Sequence, residues 1–132
     1  QTCALPISGR SMSTAYDERL KDIILLPYKR LKEKNAELDF DISSQLDYYL
    51  LYMVNFLLRN EAKKANTKSR KERRAVIENI CADEDIRSAA ARVDTERLPT
   101  HTKLLASALG CGSVFMTEKY VEFLRIYLGV KQ

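Results

Sequence analysis

Glycine and proline are scarce, four and three in 132 residues, and that disfavours a β-rich, turn-rich fold. Between Tyr28 and Leu98 neither occurs. Histidine occurs once, at His101, and cysteine three times with no Cys-x-x-Cys pair. That argues against a disulfide framework and against a structural zinc site. Long hydrophobic runs are missing too. The longest strictly apolar run, Tyr48–Val54, is seven residues, where a membrane span needs about 20. No segment reads as a secretory signal. No glycine-rich phosphate loop occurs, since Gly110–Gly112 is too short to form one.

What is present is apolar and charged in the proportions of a folding domain, 45% and 30%. The formal charge is +4, and it is concentrated. Arg59–Arg74 holds eight basic residues against two acidic ones, a local balance of +6, so the rest of the chain sums to −2. The densest part supplies Lys68, Arg70, Lys71, Arg73 and Arg74, a candidate nuclear import patch or phosphate-binding strip. No aromatic residue interrupts it, which disfavours stacking on single-stranded nucleic acid. A solvated helix face is the plainer expectation. Residues 1–11 are expected to be an assembly scar or an unstructured terminus. Gln1–Ile7 matches a translated sequencing adapter, and Met12 is the expected start.

The expected fold is all-α, a small helical bundle with a long central helix and a C-terminal partner-binding helix. Thr14 should cap a first helix carrying Tyr16, Leu20, Ile23 and Ile24 on one face, with Pro27 ending it, kinking it or starting a new turn. Leu38–Ile42 alternates apolar and acidic and reads as an extended linker. Ser43 or Ser44 should cap the central helix, with Asp47 completing a capping box from Ser44. There Leu46, Leu50, Met53 and Leu57 make one apolar stripe, and Tyr48, Leu51, Tyr52 and Leu58 another, so the helix should be buried on two sides. Lys63–Arg74 reads as an exposed helix or a loop. Two short, loosely packed helices follow, split at Asp83–Asp85, where the three acids suit a helix start. Leu104, Leu105, Ala108 and Leu109 form the face of the next helix, and Gly110 or Gly112 caps it or sits at a close crossing. The last helix should run from Phe115 to Leu128 and end at Gly129.

No constellation for catalysis is visible. His101 beside Pro99 and Thr100 reads as a surface or capping residue. Cys81 and Cys111 read as small core residues. Neither an enzyme nor a cofactor is expected.

Two separated blocks resemble one family. Leu38–Leu50 (LDFDISSQLDYYL) is similar to the block near the start of the kleisin, H-type, subunit of condensin II, with Gln45, Leu46, Tyr49 and Leu50 at the family's spacing. Leu25–Leu31 (LLPYKRL) resembles the run just before it. Gly112–Leu124 (GSVFMTEKYVEFL) resembles the second block, with Lys119, Val121, Glu122, Phe123 and Leu124 at matching distances. The family's Tyr-Ser-basic-Lys-Val is replaced by Thr117, Glu118, Lys119, Tyr120 and Val121. The stretch from about 59 to 97 is longer than the family's connection and reads as an insertion or a mispredicted exon.

The resemblance implies a non-catalytic kleisin-like N-terminal helical domain over 12–132. It would bind the coiled-coil neck of an SMC ATPase, in the nucleus and on chromosomes, during mitotic chromosome condensation. HEAT-repeat subunits of condensin II would attach through regions outside this chain, chromatin would be met indirectly, and no membrane is involved. Lys119, Val121, Leu124 and Leu128 are expected in the neck contact, with Phe123, Tyr120 and Tyr127 facing the domain's own core; the reverse division of the two apolar faces is the alternative. The competing expectation is a histone-fold-like DNA-binding and dimerisation module, in which Arg70, Arg73 and Arg74 meet phosphates.

Overall fold

Local signals decide where each helix starts and stops. A computed structural model describes residues 15–131, with side chains described as far as Tyr127. Thr14 and residues 1–11 lie outside them. Among the described residues the protein is all-helical, with six α-helices and no strand: α1 Leu20–Asn35, α2 Ser43–Glu61, α3 Arg70–Ala82, α4 Glu84–Arg92, α5 Thr100–Gly110 and α6 Val114–Lys131. A single 3-10 turn, Thr95–Arg97, joins α4 to α5.

Pro27 sits inside α1 without ending it. The hydrogen bond it cannot make would go to the carbonyl of Ile23. Ile23 and Pro27 are both exposed, so water can satisfy that carbonyl. The exposed Ile23 also corrects the expected face: Leu25 and Tyr28 are the residues of α1 that are buried. The linker 36–42 is turned rather than extended. Asp41 accepts from the Ser43 amide (3.0 Å), the Ser43 hydroxyl (2.5 Å) and Asn35 Nδ2 (3.0 Å), while Asn35 Oδ1 accepts from the Ile42 amide (2.9 Å). These bonds hold the Asp41 carboxyl down at about 2, and they take the place of the expected Ser44–Asp47 box.

Asp47 is used otherwise. It is buried on α2 and accepts both bonds of the Arg92 fork from α4, at 2.8 and 2.9 Å. That pair keeps the Arg92 guanidinium charged more firmly than usual. Helix α2 contacts α1, α4, α5 and α6. Leu46, Leu50, Leu51, Val54, Leu57 and Leu58 are buried along it. Met53, expected in the core, is only half-buried, and Tyr52 is exposed. Each fully buried leucine stabilises the fold by about 1.5–3 kcal/mol, so Leu50→Asp should prevent folding.

The segment expected as exposed helix or loop contains a turn and then the start of α3. Ser69 caps it: its hydroxyl accepts from the Glu72 amide (3.2 Å), and Glu72 accepts from the Ser69 amide (3.0 Å). Asp83 ends α3 and caps α4, accepting from the amides of Asp85 (2.9 Å) and Ile86 (3.2 Å). These two helices pack tightly, contrary to the expectation from their weak apolarity. Ile77, Ile80, Cys81, Ile86, Ala89 and Ala90 are all buried. For α4 the reason is side-chain size. Ala89, Ala90 and Ala106 let α4 and α5 approach closely, and a Cβ on Gly110 would already touch the backbone of Ala90 and Ala91 at 3.5–3.6 Å. Gly112 has the other glycine role. Its φ of +67° ends α5, with Ser113 N–H donating to Ala108 and Gly112 N–H to Leu109. Gly129 does not stop α6, which continues to Lys131.

Candidate functional site

Helix α6 is anchored at its start. Ser113 Oγ accepts from the Met116 amide (3.2 Å), and the buried Thr117 hydroxyl donates to the Ser113 carbonyl (2.8 Å). Cys81 Sγ donates to Thr117 Oγ1 at 3.5 Å, and burial pushes the Cys81 thiol up, as for a thiol packed in the core. Tyr120 donates to Asn55 Oδ1 of α2 at 2.6 Å, and burial raises its pKa as well. These contacts fix the rotation of α6 about its axis.

That rotation reverses most of the expected division of its faces. Val121 and Leu124, expected in a partner contact, are each 3% exposed and belong to the domain's own core. Phe123, expected in the core, is 55% exposed, and Tyr127 is exposed too. Tyr120 is buried as expected. Lys119 is exposed, and the side chain of Leu128 lies outside the described residues. The physical reason is register. Thr117, Glu118, Tyr120, Val121 and Leu124 turn inward together, and Thr117 and Glu118 are polar residues that find partners there. Glu118 accepts from Arg74 Nη1 at 2.8 Å.

The outward side of α6 carries Met116, Lys119, Phe123 and Ile126, spaced by three and four residues alternately. That is the period of a coiled-coil seam. Ile126 is 71% exposed, and Phe115 is exposed beside the row. Phe123 stacks on Tyr127, with ring centroids 6.4 Å apart and 16° between planes. Lys119 Nζ sits 5.4 Å from the Phe115 ring centroid and 3.4 Å from a Glu122 oxygen. Alongside runs a groove of about 460 Å³ between α5 and α6, lined by His101, Leu104, Met116, Tyr120 and Phe123 among others. His101 and Leu104 are exposed on α5, so Leu104 departs from the face it was expected to share with Leu105, Ala108 and Leu109. Tyr52 and Phe56 of α2 add a further exposed, edge-to-face aromatic pair, 5.5 Å between centroids.

Part of the basic segment is tied to other groups of the chain. Lys68 donates to the Tyr16 hydroxyl (2.6 Å) and lies 4.0 Å from Glu61. Arg73 donates to the Lys68 carbonyl. Arg74 holds Glu118, and Arg70 lies 3.9 Å from Glu122. Lys71 is exposed. The capping pattern Ser69-x-x-Glu72 within this segment was the overlooked signal that its charges sit on a packed helix.

Cys111 is exposed at the end of α5 and is not a core residue. Among the described residues no group of three or more His, Cys, Asp or Glu side chains could hold a metal ion. No described helix is long and apolar enough to cross a membrane. No family model, curated protein or solved structure matches this chain.

Proposed function

We propose that this chain is a non-catalytic assembly module of the kleisin type. In this reading α2 is its central helix, and α6 docks on the coiled-coil neck of an SMC ATPase in condensin II, in the nucleus during mitotic chromosome condensation. HEAT-repeat subunits and chromatin would be reached through other parts of the complex. The observation that carries the proposal is the outward row Met116, Lys119, Phe123 and Ile126. Exposing so much apolar side chain in water is unfavourable unless a partner covers it, and its three-four spacing matches what a two-stranded stalk presents. The blocks Leu38–Leu50 and Gly112–Leu124 support the same family.

The neck-facing set therefore shifts from Val121 and Leu124 to Met116, Phe123 and Ile126, with Lys119 retained. The histone-fold-like alternative is less well supported, because Lys68 and Arg74 are tied inward to Tyr16 and Glu118, which breaks up the basic strip that a DNA backbone would follow. The test is co-purification with a head-and-neck fragment of a condensin SMC subunit. Wild type and Lys71→Glu should be retained, and Phe123→Glu/Ile126→Glu should be lost. Equal retention of all three, or of none, would refute the assignment.

A further inference from the structure

A second site lies on the opposite flank of α6, where it packs against α3. Arg70 and Arg73, from the first turn of α3, and Arg125, from α6, line one cleft of about 200 Å³ together with Glu118 and Glu122. A single ordered water needs only about 10–15 Å³ on such a measure, so the cleft admits a polyatomic ion. Three arginines thus face two glutamates in the cleft, and Arg74, outside its lining, holds Glu118 from one side. The first turn of α3 adds the positive end of a 13-residue helix.

One donor in this cluster is unspent. Arg125 Nη1 is buried and has no hydrogen-bond partner among the described residues. A buried guanidinium nitrogen without an acceptor is unfavourable. The side chain forfeits no bond at Nη1 by swinging to meet an incoming oxygen. The other arginines are held loosely or incompletely. Arg70 reaches Glu122 only at 3.9 Å, and Arg73 commits Nη1 to a backbone carbonyl.

We propose that this cleft binds a phosphate monoester, with Arg70, Arg73 and Arg125 supplying forked donors to its oxygens. Three guanidinium groups around one concavity match a compact dianion, since Arg pairs with phosphate through two parallel N–H bonds. They do not match a nucleic-acid backbone, which needs cations spread along a surface, and here Lys68 and Arg74 are tied inward. Glu118 and Glu122 repel any anion, and that repulsion grows with ligand charge as the attraction does, so the preference for phosphate over a carboxylate rests on the number of oxygens it offers to three forked guanidinium groups. The ester could be a free phosphorylated metabolite or a phosphorylated side chain of another protein.

The test uses the full chain alone, without an SMC partner, so its outcome is separate from that of the docking proposal. Inorganic phosphate, a short neutral peptide carrying phosphoserine, the same peptide unphosphorylated, and duplex DNA are titrated by calorimetry at constant ionic strength. Phosphate and the phosphopeptide should bind and the plain peptide should not. Arg125→Gln and Arg70→Gln should each weaken binding about tenfold or more, the loss expected for a charge-assisted hydrogen bond. Lys71→Gln removes the same charge nearby, outside the cleft, and should change affinity less than about twofold. Arg70 is exposed, so that variant keeps the test valid should Arg125→Gln fold poorly. A phosphopeptide preferred over inorganic phosphate identifies a modified protein as the source, and equal affinity shows that the phosphate group alone is read and that no peptide contact contributes, the result expected for a small free ester. Absence of phosphate binding at millimolar concentration, equal loss in all three variants, or tighter binding of duplex DNA than of either phosphate ligand would overturn the proposal.

Discussion

Phe123 and Leu124 are adjacent in sequence, and truncating each to alanine separates the outer face of α6 from its inner face. Leu124 is 3% exposed within the core cluster, so Leu124→Ala removes buried methyl groups and leaves a cavity that the neighbours fill only in part. Such changes cost about 2–5 kcal/mol. For a chain of this length about 1 kcal/mol corresponds to roughly 4 °C in Tm, which places the fall at about 8–20 °C. Phe123 is 55% exposed, and its main intramolecular contact is the stacked ring of Tyr127. Losing an exposed stack costs about 0.5 kcal/mol, the low end for an aromatic pair, and alanine's better helix propensity offsets part of that. Phe123→Ala should therefore stay within about 0.5 kcal/mol of wild type, or about 2 °C. Thermal and urea melts followed by circular dichroism measure both. If Phe123→Ala lowers Tm as far as Leu124→Ala does, the ring is not on the outer face, and the argument for a docking row on α6 fails with it.

Three further outcomes follow from the helix ends. Ser69→Ala removes the hydroxyl that caps α3 and should cost about 1 kcal/mol, read as a lower urea midpoint with an unchanged slope; no change would mean that the box does not hold the helix start. Gly112→Ala places a side chain at φ +67°, which costs about 1–2 kcal/mol, whereas Gly110→Ala meets only ordinary contacts and should be milder; the reverse order of Tm values would contradict the assigned roles. Asp41 has a folded pKa of about 2, below its ordinary 3.8, so its contribution is present above the ordinary value and is lost as pH falls toward 2. The urea midpoints of wild type and Asp41→Asn should accordingly converge between about pH 4 and pH 2, and a gap that stays constant over that window would show that the carboxylate is not held by Asn35 and Ser43.

Much of the helical content was legible in the sequence because it rests on local rules. The stripe Leu46, Leu50 and Leu57 repeats at the helix period and is buried, and the acids at Asp83–Asp85 do begin a helix. The box at Ser69 and Glu72 was equally local but was obscured by the charges around it. What failed was everything that depends on which neighbour a face meets. Asp47 has the spacing of a cap, yet Arg92 lies 45 residues away and claims it. The short helices α3 and α4 look too polar to pack well, yet the alanines of α4 fit against α5 and the isoleucines of α3 are buried in the core.

Sequence alone determined that this chain forms helices, roughly where they break, and that the last one carries more apolar surface than one face can bury. It could not determine which of that helix's faces turns inward. Helical periodicity places Phe123 and Tyr127 on one side and Val121 and Leu124 on another, but both sides are apolar, and burial of either would be favourable by a similar amount. The choice was made by contacts between distant segments: Tyr120 to Asn55, Thr117 with Cys81, and Glu118 to Arg74. Polar groups are directional and costly to bury unpaired, so these few bonds selected one rotation of α6 where the undirected attraction of apolar surface had no preference.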